Sequence, residues 1–576
     1  MEIPTNLALL DEPLGSPSIS RKMISAETDV LVIGGGAAGN FAALAAREQR
    51  AEVMLVEKAW NRRAGCIGAG LDHWQFFLNE GADWDTPEAF TRWMVETVGP
   101  CDYNVVSKAV TGKLPEVKSR IEELGVHFVK DKETGKYERT QSFGQPGPWW
   151  LMSDNSLVLL PKLAARVRQV GIKVVDWVMV VELLTDKDGR IAGAVGFNIR
   201  QGEPHCIRAK TVVLATGAAN RMTTNSSSNL FNTWISPFST GSGQAMALQS
   251  GARLADIELG RATLIPRGLG TPGVNAIAGM GGYLVNRKGE RFMSKYHRMM
   301  EKAPRGILVA AVMKEIESGD GPVYFDVRHL SQEDRDFLLN NLFLVDKPVL
   351  GDYMRQKGVD LAKDLVELEV GELMPNAGIL VDEECKTNVP GLYAGGACTT
   401  ACPTGVAQAS VCIAQGLTAG ENAGRASKGA TLPEVQSGSV DAAVRRMYGP
   451  LDGGTISASE LNAKIADSCS VLRSFPTEET LQKALRELDE LQSLPLRADN
   501  LHELMRAQEV KHLMIVARAM MFASIRRRES RQYHHRGDYP GKDPAMDSAH
   551  LVVEYLKTGE LRQSIMPRDL GPFARS

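Results

Sequence analysis

The sequence predicts an α/β protein: a Rossmann-like dinucleotide-binding domain, split by an inserted domain and followed by a helical C-terminal domain. Three observations carry this expectation. Residues 28–57 run as a buried strand, a glycine-rich turn, an alanine-rich helix and a second strand, the βαβ order that ends in a phosphate site. Residues 260–380 change texture, with strand-like GGYLVNRKGERF and PVYFDV between helices, before residues 381–400 return to buried strand and glycine turn. From about residue 455 onward the pattern is helical, as in EETLQKALRELDELQSL, where apolar residues recur at helical spacing. The domains are therefore expected at 26–260 with 381–440, at 261–380 for the insertion, and at 441–576 for the helical part. A chain of 576 residues is too long for one core and fits this division.

The first unit carries the motif Gly34-x-Gly36-x-x-Gly39, with Glu57 ending the next strand. Gly34 allows a tight turn, Gly36 lets the backbone approach a pyrophosphate, and Gly39 lets helix and strand pack closely. The N–H groups of Ala37 and Ala38 open the helix toward phosphate charge. Glu57 is placed to accept hydrogen bonds from ribose hydroxyls, with Lys58 beside it. The motif follows a strand, opens a helix and has an acid about 20 residues on, which is the context it requires. Taken alone it fits NAD as well as FAD. Further along, residues 174–184 read as a strand, residues 189–207 as a meander, and residues 211–217 as a buried strand ending in Ala215-Thr216-Gly217. Residues 1–25 read as an arm without periodicity.

Hydrophobic residues make up 43% of the chain and charged residues 23%, enough to bury a large core. A net charge of -3 gives no general attraction to nucleic acid or anionic membrane. The basic run Arg526, Arg527, Arg528, Arg531 is followed by Asp538 and Asp543, so it reads as an ion-paired structural cluster. Eight cysteines at 66, 101, 206, 385, 398, 402, 412 and 469 show neither a secreted-type framework nor the spacing of an iron–sulfur or zinc site. That spacing, an N-terminus without signal-peptide character and the lack of any 18-residue apolar stretch point to a cytoplasmic protein with no membrane insertion.

The segments IGGGAAG, RRAGCIGAG, ATGA, STGSGQAMALQSGARLADIEL, GGYLVNRKGERFMSKY, APRGILVAAV, VPGLYAGGA and RRESRQYHHRGDYP together resemble the fumarate reductase/succinate dehydrogenase flavoprotein superfamily, over residues 26–550 or so. The strand end at Ala215 and the VPGLYAGGA stretch resemble parts of two-dinucleotide-type flavoproteins and decide for FAD over NAD. Within the superfamily, RRAGCIGAGL, RIAGAVGFNIR and the Trp234 segment NTWISPFSTGSGQAM resemble the flavoprotein α subunits of adenylylsulfate reductases. The resemblance implies a two-dinucleotide-binding FAD domain, a capping domain inserted in it, and an active site between the two. It implies flavin contacts from Gly65, Cys66, Gln75, Ser242, Gly396 and Ala397, and electron exchange with a ferredoxin-like iron–sulfur subunit.

Departures from the family are informative. Gly65 stands where succinate dehydrogenases attach FAD through a histidine, so the FAD is expected to be non-covalent. Thr263 and Leu373 stand where dicarboxylate enzymes place site histidines; no histidine lies between His329 and His502, and no arginine between Arg355 and Arg425. A dicarboxylate site needs several cationic and donor groups, so fumarate and succinate are disfavoured. Because adenylylsulfate reductases also place a histidine near position 373, that activity stands open to question as well. Arg305 aligns with the proton-shuttling arginine of fumarate reductases. Arg267 lies close to a substrate arginine of adenylylsulfate reductases, with Arg261 as competitor, and Trp234 faces the flavin. Against these stand plain readings: a capping-domain ion pair for Arg305, a surface arginine for Arg267, a core indole for Trp234. Trp149 and Trp150 read as packing. Cys398 and Cys402 could form a redox thiol pair, although buried free cysteines are usually inert. The His534–His535 pair reads as structural, with no metal. The function these residues imply is hydride or electron transfer between a small anionic substrate and FAD; the alternatives are a flavin-dependent hydratase or isomerase, a single-chain reductase of a C=C bond, and an assembly subunit without catalysis.

Overall fold

The computed structural model describes residues 22–69, 71, 73–141, 145–271, 277–278, 280–339, 348–375, 378–400, 408–556 and 558–573. The N-terminal arm, apart from its last residues, and Cys402 lie outside the described residues. Strand β1 (Ile24–Ile33) is buried through Val30, Leu31 and Val32. It leads through Gly34–Gly36 into helix α1 (Ala37–Glu48) and then β2 (Val53–Glu57). β1 and β2 pair in parallel, Val30 opposite Val53 and Ile33 opposite Val56. The main sheet continues outward from β2 to β3 (Lys173–Asp176), also parallel.

On its other side β1 pairs in parallel with the long strand β6 (Pro204–Leu214). β6 closes the antiparallel meander of β4 (Val178–Thr185) and β5 (Ile191–Asn198). Trp177, at φ 66°, separates β3 from β4, so residues 173–185 form two strands, not one. A short strand, Leu392–Ala394, returns from much later in the chain to pair in parallel with the end of β6. Among the described residues the sheet has seven strands.

Helix Gln408–Ser427 covers this sheet against α1. Its Gly416, Gly420 and Gly424 recur every four residues and face Ala38, Ala42 and Ala46; a Cβ at these positions would lie 2.3, 2.0 and 2.9 Å from the α1 carbonyl oxygens. The bare stripe is what brings two helices into backbone contact and fixes α1 against the sheet.

Residues 264–370 supply a separate four-stranded antiparallel sheet, built from Leu264–Pro266, Val366–Val370, Val323–Asp326 and Tyr283–Val285 in that order. Helix Arg305–Glu317 packs beside it. The C-terminal part contains helices Ala458–Cys469, Glu478–Gln492 and the long Leu501–Arg526. The first two begin with capping boxes at Ser457 and Thr477, which satisfy first-turn N–H groups. The part is not helical to its end. Ala549–Tyr555 and Leu561–Pro567 form an antiparallel hairpin turned at Gly559 (φ 84°), and its first strand pairs with Leu254–Ala255. AHLVVEY carries the β-branched pair Val552 and Val553 and is buried on both faces through Val553, which favours a strand over the helix expected there.

Candidate flavin site and the cleft beside it

The carboxyl ends of β1 and β2 open onto a cavity of ≈ 510 Å³. Its floor is the glycine turn. Gly34, at φ 106°, lies so close to the next strand that a Cβ there would sit 2.4 Å from the Ala215 carbonyl oxygen. A Cβ on Gly39 would sit 1.8 Å from the Gly34 carbonyl oxygen. Gly36 faces Gly65, with 3.7 Å from a Cβ built on it to the Gly65 Cα. Helix α1 starts at Gly36 without a side-chain cap and without an acid in its first turn, so its N–H groups are left for a phosphate. Thr216 Oγ1, buried on the wall, has no partner in the protein. A narrow cradle of bare glycines and uncapped N–H groups fits a dinucleotide.

Gly34, Gly36, Ala37, Ala38, Glu57, Lys58, Gly65 and Cys66 line the cavity, as do Ala215, Thr216, Gly217, Ser242 and Ala397. Gly39 and Gly396 stand behind the lining, where Gly396 would clash with Ala38 if it carried a Cβ, at 3.0 Å. The Glu57 carboxylate accepts from the N–H of Gly35 at 2.6 Å and of Ala59 at 2.8 Å, which fixes it at the strand end. Gln75 is buried with both amide atoms unpartnered and lies outside the lining. Its place at the flavin edge is therefore not part of this cavity.

The C-terminal helix contributes what the sequence did not announce. His502, Met505 and Arg506 line the cavity from Leu501–Arg526. One turn on, Glu509 is fully buried and binds Lys58 Nζ at 2.6 Å, Arg221 at 2.7 Å and Arg506 at 2.8 Å. Burial would raise its carboxyl, but those three cations overcome it and hold the acid down at about 2. Lys58 also donates to the Phe238 carbonyl at 2.7 Å, so its ammonium is held at the wall.

Arg261, also on the cavity wall, lies over the Trp234 ring, 4.4 Å from its centroid. The Trp234 indole is buried and donates to the Glu372 carbonyl at 3.2 Å. Glu372 itself is buried, which pushes its carboxyl up to about 8. Tyr533 is within electrostatic reach of both Arg305 and Arg261; burial raises its phenol, and the two cations pull it down. Burial also works against the charge of Arg305. Of these residues Arg261 lines the cavity, Trp234 packs on it, and Tyr533 and Arg305, from two other parts of the chain, are linked to it by electrostatic reach.

Arg267 does not join them. It sits on the rim of the four-stranded sheet, more than half exposed, paired with Glu367 at 2.5 Å. The strand Leu264–Pro266 carries it away from the cavity, and Arg261 takes the inward place. The RESRQYHHRGDYP run, which in the family it resembles is structural or lies near the flavin, supplies Tyr533.

The remaining candidates are structural here. Trp149 packs among Phe90 and Trp93 and donates to the Trp84 carbonyl at 3.0 Å. Cys398 is fully buried, its thiol pushed up to about 12 by burial, a poor start for thiolate chemistry. His534 is buried against the Arg527 carbonyl, and among the described residues no group of three His, Cys, Asp or Glu could hold a metal. Among them, too, no helix is long and apolar enough to cross a membrane.

Residues 29–410 match the family model described as FAD binding domain, and residues 458–567 match that described as fumarate reductase flavoprotein C-term. The chain belongs to the fumarate reductase-type FAD flavoproteins. FAD is therefore the dinucleotide for the cavity. Curated relatives include one of the subunits of the CoM/CoB fumarate reductase from Methanothermobacter marburgensis, 26% identical over 91% of this chain and 97% of the relative. An L-aspartate oxidase from Streptomyces coelicolor is 28% identical over 91% of each. Among solved structures, adenylylsulfate reductase from Archaeoglobus fulgidus shares the fold with a TM-score of 0.86 at 23% identity, covering 98% of this chain and 100% of that one. Escherichia coli quinol fumarate reductase does so with a TM-score of 0.82 at 23% identity, covering 96% and 98%. This flavoprotein is an oxidoreductase by family.

Proposed function

We propose that this flavoprotein moves a hydride or electron pair between a small anionic substrate and non-covalently held FAD, and exchanges electrons with a separate iron–sulfur protein. The observation that carries the reading is Arg261 on the cavity wall, stacked on Trp234, with Tyr533 in electrostatic reach of both Arg261 and Arg305. Bound FAD supplies the hydride acceptor or donor. The chain's own groups bind and orient. Two guanidiniums that stay charged suit an oxyanion, and Trp234 holds the plane of Arg261. Burial keeps the Tyr533 phenol protonated at neutral pH, so it can donate a hydrogen bond or a proton to the substrate. Gly65 offers no side chain for a covalent flavin link. Thr263 and Leu373, in place of histidines, disfavour a dicarboxylate held as in the fumarate reductases; adenylylsulfate and other compact anions remain to be tried. The iron–sulfur partner is carried over from the resemblance to adenylylsulfate reductases, and the naming of curated relatives as subunits supports it.

The test is anaerobic. Reduced enzyme is mixed with a panel of dicarboxylates, amino acids and sulfur oxyanions, and flavin reoxidation is followed by stopped flow. One class of anion is expected to reoxidise it, and Arg261→Met and Arg305→Met are each expected to lower kcat/KM about 10- to 100-fold, the loss of a charge-assisted hydrogen bond. Turnover of a neutral substrate untouched by either variant would refute the site. Product and substrate at equal oxidation level would refute the redox assignment, and rapid direct reduction by NAD(P)H would remove the need for the iron–sulfur partner.

A further inference from the structure

Ser242 opens helix Ser242–Gln249 on the cavity wall, where an uncapped helix start and a hydroxyl suggest a group that donates to phosphate. Its surroundings reverse that expectation. The hydroxyl lies 2.9 Å from Nδ1 of His512, which reaches it from the long C-terminal helix. The other ring nitrogen, Nε2, lies 3.1 Å from the Val181 carbonyl oxygen. A carbonyl oxygen only accepts, so Nε2 carries the hydrogen. Burial pushes the imidazole down to about 4; the Val181 carbonyl and Glu509 favour the charged form, while Lys58 and Lys511 oppose it. The ring is thus neutral, and Nδ1 is an acceptor. The only hydrogen available to that contact is the Ser242 hydroxyl's own.

We infer that His512 fixes Ser242 as an acceptor-only group, so that Ser242 Oγ recognises a hydroxyl or amino donor of the bound FAD and not its pyrophosphate. Thr240 Oγ1, 3.3 Å from Ser242 Oγ and also on the cavity wall, is correspondingly turned to donate to Ser242. The anion is left to the start of α1, whose N–H groups have no such competitor. His512 touches no ligand in this arrangement. It is a positioning residue, and it makes the C-terminal domain part of flavin recognition. The inference rests on FAD occupying the cavity, not on the identity of the substrate.

Two measurements test it. Holoenzyme labelled with 15N-histidine is examined by NMR between pH 5.5 and 8.5 to read the His512 tautomer, with His512→Gln used for assignment. A protonated Nε2 and bare Nδ1 throughout are expected; an imidazolium or an Nδ1–H form would overturn the inference. In parallel, apoprotein is titrated with FAD and with flavin hypoxanthine dinucleotide, which lacks the exocyclic amine. Ser242→Ala is expected to weaken FAD binding about 2- to 10-fold, one net hydrogen bond. If the same loss appears with the hypoxanthine analogue, the donor is a hydroxyl; if it vanishes, the donor is the adenine amine. Ser242→Ala that binds FAD as tightly as wild type would overturn the inference, and would do so whatever substrate the enzyme proves to use.

Discussion

Replacing Glu509 with glutamine keeps its volume and removes the one negative charge that three cations share. The carboxylate is 0% exposed, with Lys58, Arg221 and Arg506 at 2.6, 2.7 and 2.8 Å. Burial pushes the acid up from 4.5, the cations pull it down further, and the balance leaves it at about 2. Such a difference, at ~1.4 kcal/mol per unit, corresponds to roughly 3 kcal/mol of folding stability. The folded-state value lies below the unfolded one, so this stability is present above about pH 4.5 and is lost as pH falls toward 2. In Glu509→Gln the fully buried Arg221 keeps its charge without a counter-ion, a change that costs about 3–5 kcal/mol. For 576 residues unfolding together, an entropy of ~2.1 cal/mol/K per residue turns this into a midpoint lowered by about 2–4 °C. Scanning calorimetry at neutral pH reads the shift, and denaturant melts from pH 6 down to pH 3 read its decline, because the unfolded chain takes up the Glu509 proton below about pH 4.5 while the folded one does not. The double variant Lys58→Met/Glu509→Gln is expected to fall short of additive loss by about 0.5–3 kcal/mol. A single variant that melts with the wild type, or a deficit that stays constant down to pH 3, would refute the account of Glu509 as the shared counter-ion.

Two further outcomes follow from the geometry. Gly39→Ala puts a Cβ 1.8 Å from the Gly34 carbonyl oxygen and 3.3 Å from Ala215 Cβ, where only backbone can give way; FAD loss on purification and about 1–3 kcal/mol of destabilisation are expected, and a yellow protein with the wild-type denaturation midpoint would contradict the packing argument. His550 is held between Asp256 at 2.5 Å and Asp102 at 3.2 Å; although burial lowers its imidazole, those carboxylates raise it to about 9. The resulting stability is full below about pH 6.5 and disappears as pH rises through 9, by roughly 3 kcal/mol. His550→Gln should flatten that decline in denaturant melts between pH 6 and 10, and a wild type that shows no decline over this window counts against the charged sandwich.

How much of this was legible depends on where each signal lies along the chain. The flavin cradle is local: Gly34, Gly36 and Gly39 work within one turn, and their spacing fixes strand, turn and helix before any tertiary contact forms. The Gly416–Gly420–Gly424 stripe was equally visible but has no meaning until its partner helix is known. Arg261 and Arg267 differ only in strand geometry: six residues apart, one precedes Leu264–Pro266 and turns inward, the other follows it and meets Glu367. Sequence spacing cannot separate them. Glu509 and His512 are hidden for another reason. They sit in LMRAQEVKHLMIVARAMMFASI, a helix buried nearly all round, where an acid and a histidine carry no periodic mark and acquire roles only against Lys58 and Ser242 from the FAD domain. The C-terminal hairpin was missed because its strands complete a sheet with Leu254–Ala255, some 300 residues earlier.

The convergence of distant segments has a functional consequence. The cradle that fits FAD lies in one compact unit, where Gly34 and Gly39 leave no room for a Cβ, whereas Trp234 and Arg261 come from the segment after the main sheet, Arg305 from the helix beside the four-stranded sheet and Tyr533 from the C-terminal part. A fumarate reductase subunit and an L-aspartate oxidase both align with this chain over 91% of its length, at 26% and 28% identity. On the proposed function, substrate choice would lie with these residues, where Thr263 and Leu373 stand in the places that the resemblance gives to histidines of the dicarboxylate enzymes. Because Glu509 and His512 contact Lys58 and Ser242 from the same C-terminal part that supplies Tyr533, a shift of that part relative to the main sheet would loosen Glu509 from Lys58 and His512 from Ser242 while displacing Tyr533. A variant that weakens the Lys58–Glu509 pair is therefore expected to alter both FAD affinity and the surroundings of Tyr533.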